Sequence, residues 1–296
     1  MATLSVGCSA AGCDTTSARG EYDSMTLRIG FSGCCQHLSR NEVETRVDSS
    51  LNQLDESMIT VIFYDIRLSK DGQVEQLTAY YFHGDTYSTI VKTTLRANTS
   101  STLRDIPNDI YNALSSEPKD AMERFTQWII MTHSMNTGNT DMRNIVLTAH
   151  FGSCHDHIYL LRAMMGSGIE PLNFKLADSL ALFKTIMGPD EPTDIALFVD
   201  KYAKWLLSSP NFADNDAWAL RVVVMTMFPR TNAACYTFSI SCQGFMERTG
   251  LNMLNTGHLT YTHYPMWDGA IICEESGKLI GWQTGPLQSQ TNKGLI

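Results

Sequence analysis

The sequence of 296 residues lacks any segment that would place it in a membrane or export it from the cell. A transmembrane helix needs about 18 to 20 mostly apolar residues in succession, and no run in this sequence approaches that length. The opening residues, MATLSVGCSAAGCDTT, have neither the basic region nor the long apolar region of a signal peptide. From these absences we expect an intracellular protein, in the cytoplasm or nucleus, with no membrane partner.

Basic residues are also scarce. The chain has 22 Lys and Arg against 31 Asp and Glu, which gives a net charge of -9 at pH 7. Proteins that hold nucleic acid through many phosphate contacts usually present a basic surface, because the phosphates dominate affinity. The acidic balance argues against tight non-specific binding of nucleic acid. It does not exclude a nuclease, because metal-binding carboxylates themselves contribute negative charge.

Several common functional motifs are missing. The sequence contains no Walker loop, no Rossmann glycine pattern and no G-x-S-x-G motif. Its eight cysteines are expected to be free thiols, since a chain of this length does not depend on a disulfide framework. Cys34, Cys35 and His37 lie close together, but adjacent cysteines suit one tetrahedral zinc ion poorly and no matching C-x-x-C pair follows.

Hydrophobic patterning divides the chain into three parts. Residues 1–57 lack clear periodicity, so we expect an N-terminal extension, partly ordered, in which only 25–31 alternates like a strand. Residues 58–229 have the pattern of an α/β domain. Residues 230–296 are predicted to be a small β-rich extension packed on the core, because such short strands are marginal alone. Its predicted strands are 235–242, 259–264, 270–273 and 278–282.

The order of elements in residues 58–229 predicts a mixed five-stranded sheet flanked by helices. The run ITVIFYDIRL, from Ile59, is apolar on both alternations until Asp65, as expected for a central strand covered on both faces. We expect the strand beginning at Asn144 to lie parallel beside it. The other predicted strands are 74–82, 87–95 and 174–178, and the predicted helices begin near 118, 155, 193 and 213.

The segment AHFGSCHDHIYLL, around Asp156, resembles the second motif of the DEDDh-type 3′–5′ exonucleases, which have an RNase H-like fold. The similarity covers residues 59 to about 228 and includes QLTA at 76–79 and ADSLALFK at 177–184. It implies an RNase H-like sheet and a site for two divalent ions, Mg²⁺ or Mn²⁺. In such a site carboxylates hold the ions, and a histidine takes a proton from the attacking water.

The resemblance carries over to this sequence at some site positions and fails at others. The second acidic position of the family pattern is Arg67, and the position of the general base is Asn211. Phe151 and His155 stand where the family usually has Asn and Phe. The first, third and fourth acidic positions are matched by Asp65, Asp156 and Asp216. The resemblance therefore implies these three as metal ligands, with two catalytic positions replaced.

Each aspartate also has an alternative structural role. Asp156 could cap its helix, and Asp216 could be a solvated residue in the first turn of its own. Asp65 is harder to explain this way, because an isolated carboxylate buried in an apolar strand is costly. Asp178 is expected to be structural.

A zinc site is a rival interpretation of the same region. His150, His155, His157 and Asp156 are suitable zinc ligands for a metal-dependent hydrolase. If residues 155 to 165 are helical, however, His155 and His157 lie roughly 200° apart around the helix axis. They could not both face one ion easily, so cap and surface positions are the alternative.

The sequence therefore predicts a catalytically degenerate exonuclease-like domain that serves as a binding or scaffold module. Its partner would be single-stranded nucleic acid or a protein. Two alternatives stay open: an active metal-dependent 3′–5′ exonuclease with a rebuilt site, and a viral structural or assembly subunit that reuses the fold and self-associates. Because the three aspartates with Arg67 sum to a charge of -2, we expect weak attraction for two ions and a counter-ion role for Arg67.

Overall fold

The computed structural model describes eleven stretches of the chain. These are residues 40–52, 54–69, 72–94, 103, 105–153, 155–180, 182–183, 195–202, 213–249, 270–272 and 279–282. Several predictions fall outside these ranges: the strands at 25–31 and 259–264, the cluster of Cys34, Cys35 and His37, and the general-base position, Asn211.

A mixed seven-stranded sheet forms the centre of the protein, in the order β4-β3-β2-β1-β5-β6-β7. Strand β1 pairs antiparallel with β2 and parallel with β5, and β6 continues the parallel part beside β5. The strands are β1 Thr60–Leu68, β2 Val74–Tyr81, β3 Thr86–Val91, β4 Ser115–Ser116, β5 Ile145–Ala149, β6 Lys175–Asp178 and β7 Ser239–Ser241. The order and directions of β3, β2, β1, β5 and β6 are those of an RNase H-like sheet, which confirms the predicted fold class and the central, parallel placement of β1 and β5.

Helices cover both faces of the sheet. The described helices are α1 Arg40–Ser50, α2 Asn108–Leu114, α3 Pro118–Thr137, α4 Asp156–Gly166, α5 Ile195–Tyr202, α6 Ala213–Met227, α7 Thr231–Thr237 and α8 Cys242–Thr249, with 3-10 turns at Glu56–Met58 and Met142–Asn144. Helix α3 begins with proline, which has no backbone N–H, at a position where a helix has no partner for that N–H. Gly138, with φ of 65°, ends the helix. None of the helices in these described ranges is long and apolar enough to span a bilayer.

Strand β1 separates two hydrophobic clusters because successive side chains point to opposite faces. Ile62, Tyr64 and Ile66 belong to the cluster that α3 and α4 cover. Val61 and Phe63 belong to the cluster covered by α1, α6 and α7. All of these side chains are at most 2% exposed, as expected for a strand that is apolar on both alternations. Asp65 and Arg67 alternate with the second set and therefore lie on the side of α6.

Two short strands at the edges make the sheet seven-stranded where five strands were predicted. Strand β4 adds two residues beside the end of β3, and β7 adds three residues beside β6. Such short pairings have no recognisable hydrophobic alternation, so the sequence does not reveal them.

The region after Arg230 contains more helix than predicted. The segment 235–242 was expected to be a strand, but α7 occupies 231–237 and only Ser239–Ser241 is extended. Three consecutive residues, Ala233, Ala234 and Cys235, are buried. A helix packed into the second cluster explains this, whereas a strand with one exposed face would bury only every second residue. The last two predicted strands are present as β8, Ala270–Ile272, and β9, Leu279–Trp282, which pair with each other antiparallel.

Helix α1 lies within the part that the sequence suggested was an irregular extension. Only Val43 and Val47 on this helix are buried, four residues apart, and they pack into the second cluster. The other side chains of α1 are polar, so its periodicity is weak. Arg230 also pairs with Asp48 of this helix at 2.6 Å.

Candidate functional site: a carboxylate cluster with an internal arginine

Four of the residues singled out in the sequence come together at the carboxyl end of β1. Asp65 and Arg67 lie near the end of that strand, on the same face. Asp156 is the first residue of α4, which follows the neighbouring parallel strand β5. Asp216 lies in the first turn of α6, which packs on β1. This is the edge at which open α/β sheets bind their ligands.

Arg67 joins two of the aspartates. Its Nη2 donates to Asp216 Oδ2, and its Nε lies 3.6 Å from Asp65 Oδ2. The three side chains are between 22% and 34% exposed, so the group is partly desolvated. The guanidinium thus links the end of β1 to the start of α6 through charge.

Asp156 is bonded to the backbone of β1. Strand β5 pairs with β1 from Thr60 to Phe63, and no other strand among the described residues continues this pairing beyond Phe63. Asp156 Oδ1 accepts a hydrogen bond from the N–H of Ile66 at 3.2 Å, and its Oδ2 lies 3.6 Å from Nδ1 of His155. The residue at the N-cap position of α4 is His155, so Asp156 does not have the cap role that the sequence suggested and instead joins α4 to the backbone of β1.

Asp65 is the least satisfied member of the cluster. Its Oδ2 and Arg67 Nε are buried atoms that have no hydrogen-bond partner among the described residues, although the whole Asp65 side chain is 22% exposed. Burial, followed by the negative charge of Asp156, holds the pKa of Asp65 well above its ordinary value, while the charge of Arg67 opposes this. A carboxylate in this position needs a positive charge beside it.

The histidines of the same region do not form a zinc site. His157 Nδ1 lies 2.6 Å from the hydroxyl of Tyr64, and its Nε2 lies 3.1 Å from the carbonyl of Ala177, so both ring nitrogens are occupied. His150 Nδ1 lies 2.9 Å from Ser179 Oγ. The zinc interpretation is therefore not supported by the geometry.

Sequence analysis missed the buried network around His157. The Ala177 carbonyl can only accept, so Nε2 carries the proton and Nδ1 accepts from Tyr64. Burial lowers the pKa of His157 to about 4, and the nearby Asp156 only partly opposes this. A Cβ on Gly152 would lie 2.6 Å from His157 Nε2, so the imidazole requires glycine there. A histidine on an apolar helix carries no sequence signal for such a role.

Other polar side chains order the neighbouring loops. Asp178 accepts hydrogen bonds from the N–H groups of Ser153 and Leu180, which agrees with the structural role expected for it. The ring of His155 packs at a tilt against the ring of Tyr159, with 5.1 Å between ring centroids. Burial alone would lower the pKa of His155, but the Asp156 carboxylate, 3.6 Å from its Nδ1, outweighs burial, so this pKa is raised.

The cluster does not fit a pair of divalent ions. Among the residues that the structure describes, no three His, Cys, Asp or Glu side chains are placed to hold a metal ion together. Asp216 Oδ2 is bonded to Arg67, and Asp156 Oδ1 is bonded to Ile66. Two-metal sites need several hard oxygen ligands directed at each ion, and two of the candidate oxygens already accept hydrogen bonds from the protein.

Comparisons with known proteins found distant structural likeness and no sequence match. No family model matches the sequence, and no curated protein matches it. A 3′-exonuclease that recognises the histone mRNA stem-loop matches 57% of this chain and 80% of its own, with 12% identity and a TM-score of 0.42. A zinc-bound E. coli ExoI–ssDNA complex matches 58% of this chain and 42% of its own, with 11% identity and a TM-score of 0.39.

Exonuclease I from Methylocaldum szegediense matches 73% of this chain and 48% of its own, with 10% identity and a TM-score of 0.43. The chain thus spans less than half the length of the two exonuclease I proteins. Similarity this distant concerns the fold alone. On its own strand order and directions, the chain has an RNase H-like α/β fold.

Proposed function

We propose that this protein is a catalytically degenerate exonuclease-like domain that works as a binding or scaffold module. One observation carries the proposal: Arg67 stands at the second acidic position and pairs with Asp65 and Asp216. Two-metal hydrolysis requires ions that stabilise both the attacking and the leaving oxygen. A fixed guanidinium among the ligands repels such ions and uses the oxygens that would bind them.

A protein partner suits the charge of the molecule better than nucleic acid. The chain carries a net charge of -9, and the cluster keeps more aspartates than arginines. Phosphates brought to this edge without bound cations meet net negative charge, which lowers affinity. A protein partner that presents a neutral or basic surface to this edge does not carry this penalty.

The test is a nuclease assay of the purified chain on end-labelled single-stranded DNA and RNA, with Mg²⁺ or Mn²⁺. We expect no shortening of either substrate beyond that seen with EDTA. Metal-dependent removal of nucleotides from the 3′ end would contradict the proposal and support the active-exonuclease alternative. Size-exclusion chromatography of the same sample reports self-association, and a stable oligomer would favour the assembly-subunit alternative.

A further inference from the structure

We propose that Arg67 is a built-in cation that replaces divalent metal at the carboxylate cluster, so that one residue keeps the site closed to metal. This inference rests on the proposed function and deepens it, because it assigns the residue that makes the site independent of metal. It also implies that the metal site is latent and that a single substitution reopens it.

The first argument is charge. Asp65, Asp156 and Asp216 place three carboxylates at one edge, and Asp65 Oδ2 is buried without a hydrogen-bond partner. Like charges in a partly desolvated site repel more strongly than in water. A positive charge beside these groups relieves that repulsion and lets Asp65 ionise, which its raised pKa otherwise opposes. Within the described residues, Arg67 is the cation whose ion pairs reach both Asp65 and Asp216.

The second argument is the shape of the guanidinium. Nη2 donates to Asp216 Oδ2, and Nε, at another position of the planar group, lies 3.6 Å from Asp65 Oδ2. A guanidinium can serve two carboxylates at once because its donors are fixed in a fork, whereas an ammonium group acts as a point charge. Arg67 thus performs the bridging between β1 and α6 that a shared metal ion would otherwise perform.

The third argument is the position of residue 67. It lies two residues after Asp65 on β1, on the same face of the strand. A carboxylate side chain at position 67 would extend from the same backbone position as Arg67, toward Asp216. Arg67→Glu would give four acidic residues at one edge, which is a ligand set suited to Mg²⁺ or Mn²⁺.

The experiment measures melting temperature and calorimetric binding while Mn²⁺ is titrated into the full chain and its variants. Wild type should show no binding isotherm and no change in Tm. Arg67→Glu should melt lower than wild type without metal, should gain Tm as Mn²⁺ is added, and should give a binding isotherm for Mn²⁺ where wild type gives none. Arg67→Ala should lower Tm by roughly 3 to 6 °C without metal.

Arg143→Glu is the matched control. It makes the same change of charge, but Arg143 is 70% exposed and pairs only with the nearby Asp141 among the contacts described. Its Tm should not respond to Mn²⁺. If Arg67→Glu does not fold, Arg67→Gln takes its place, and it should also melt lower than wild type and be stabilised by Mn²⁺.

The inference is overturned if wild type binds two Mn²⁺ ions as tightly as Arg67→Glu, or if no substitution at position 67 changes the response to Mn²⁺. It is also overturned if Arg67→Ala melts at the temperature of wild type. The proposed function fails separately, by nuclease activity of the wild type. A wild type that binds two Mn²⁺ ions but leaves DNA and RNA intact would overturn only the present inference.

Discussion

The two faces of β1 carry polar groups that differ in how completely they are bonded. On the face of α4, Tyr64, His157 and the Ala177 carbonyl form a neutral chain of hydrogen bonds in which both imidazole nitrogens are used. On the face of α6, Asp65 and Arg67 form an ionic cluster that leaves Asp65 Oδ2 and Arg67 Nε without hydrogen bonds.

This difference separates a structural network from a cluster that we propose to be a former reaction site. A neutral, fully bonded network stabilises the fold and offers nothing to a ligand. An ionic cluster that contains a buried oxygen without a hydrogen bond destabilises the fold. We therefore expect such a cluster to be kept for a reason other than stability. We therefore expect substitutions on the face of α4 to cause large losses of stability, and substitutions on the face of α6 to change metal binding.

The largest expected effect comes from removing the centre of the neutral network. Tyr64 is fully buried in the cluster under α3 and α4. Tyr64→Ala should lower the free energy of unfolding by about 3 to 5 kcal/mol, because it leaves a cavity and an unbonded His157. Urea unfolding measures this. A loss below that of Arg67→Ala would contradict the ranking of the two faces.

The neutral network should also give a defined pH dependence. The pKa of His157 is lowered to about 4 by burial, whereas an unfolded histidine has a pKa near 6.5. Between these values the unfolded chain binds a proton that the folded chain does not, so stability falls as pH decreases from about 6.5 to about 4. The shift corresponds to roughly 3 kcal/mol at the acidic end.

The measurement is the unfolding free energy of wild type and His157→Gln at several pH values between 7 and 4. Subtracting the two curves removes contributions from other titrating groups. The difference should shrink as pH falls, because only wild type contains the histidine that resists protonation. Parallel curves would show that His157 is not held neutral.

A smaller effect should follow from crowding the imidazole. A Cβ on Gly152 would lie 2.6 Å from His157 Nε2 and 3.0 Å from the side chain of Ala149. Gly152→Ala should therefore cost about 1 to 3 kcal/mol by overpacking. In the double variant with His157→Gly the steric cost should largely disappear, and an undiminished cost would assign it to the loop backbone instead.

The smallest effect is expected at an exposed ion pair outside both faces. Arg143 contacts Asp141 at 2.6 Å, but its side chain is 70% exposed. Arg143→Ala should change the unfolding free energy by less than about 0.5 kcal/mol, since solvent screens such pairs. A larger loss would mean that the change in unfolding free energy does not distinguish an exposed ion pair from the ion pairs of Arg67.

The sequence predicted the ionic face better than the neutral one. Asp65 was conspicuous because it interrupts an apolar strand, and the motif resemblance added Asp156, Asp216 and the substitution at Arg67. His157 gave no such signal, since its partners Tyr64 and Ala177 are 93 and 20 residues away. Contacts of this kind depend on register between strands and helices, which local patterns do not determine.

The same limit explains the differences in the fold. Doubly apolar β1 and the crossover to β5 followed directly from composition and element order. Strand β7 depends on pairing with β6, and α7 depends on burial of Ala233 and Ala234 against the second cluster. Both are tertiary effects that override a short alternating pattern.

The central claim is that a guanidinium occupies the place of metal, and anomalous diffraction from crystals soaked in Mn²⁺ tests it most directly. The account predicts no manganese peak among Asp65, Asp156 and Asp216 in wild type, with the Arg67 guanidinium resolved between Asp65 and Asp216. It predicts a peak at that place in Arg67→Glu. Two manganese peaks in wild type, with Arg67 turned away from the aspartates, would contradict it.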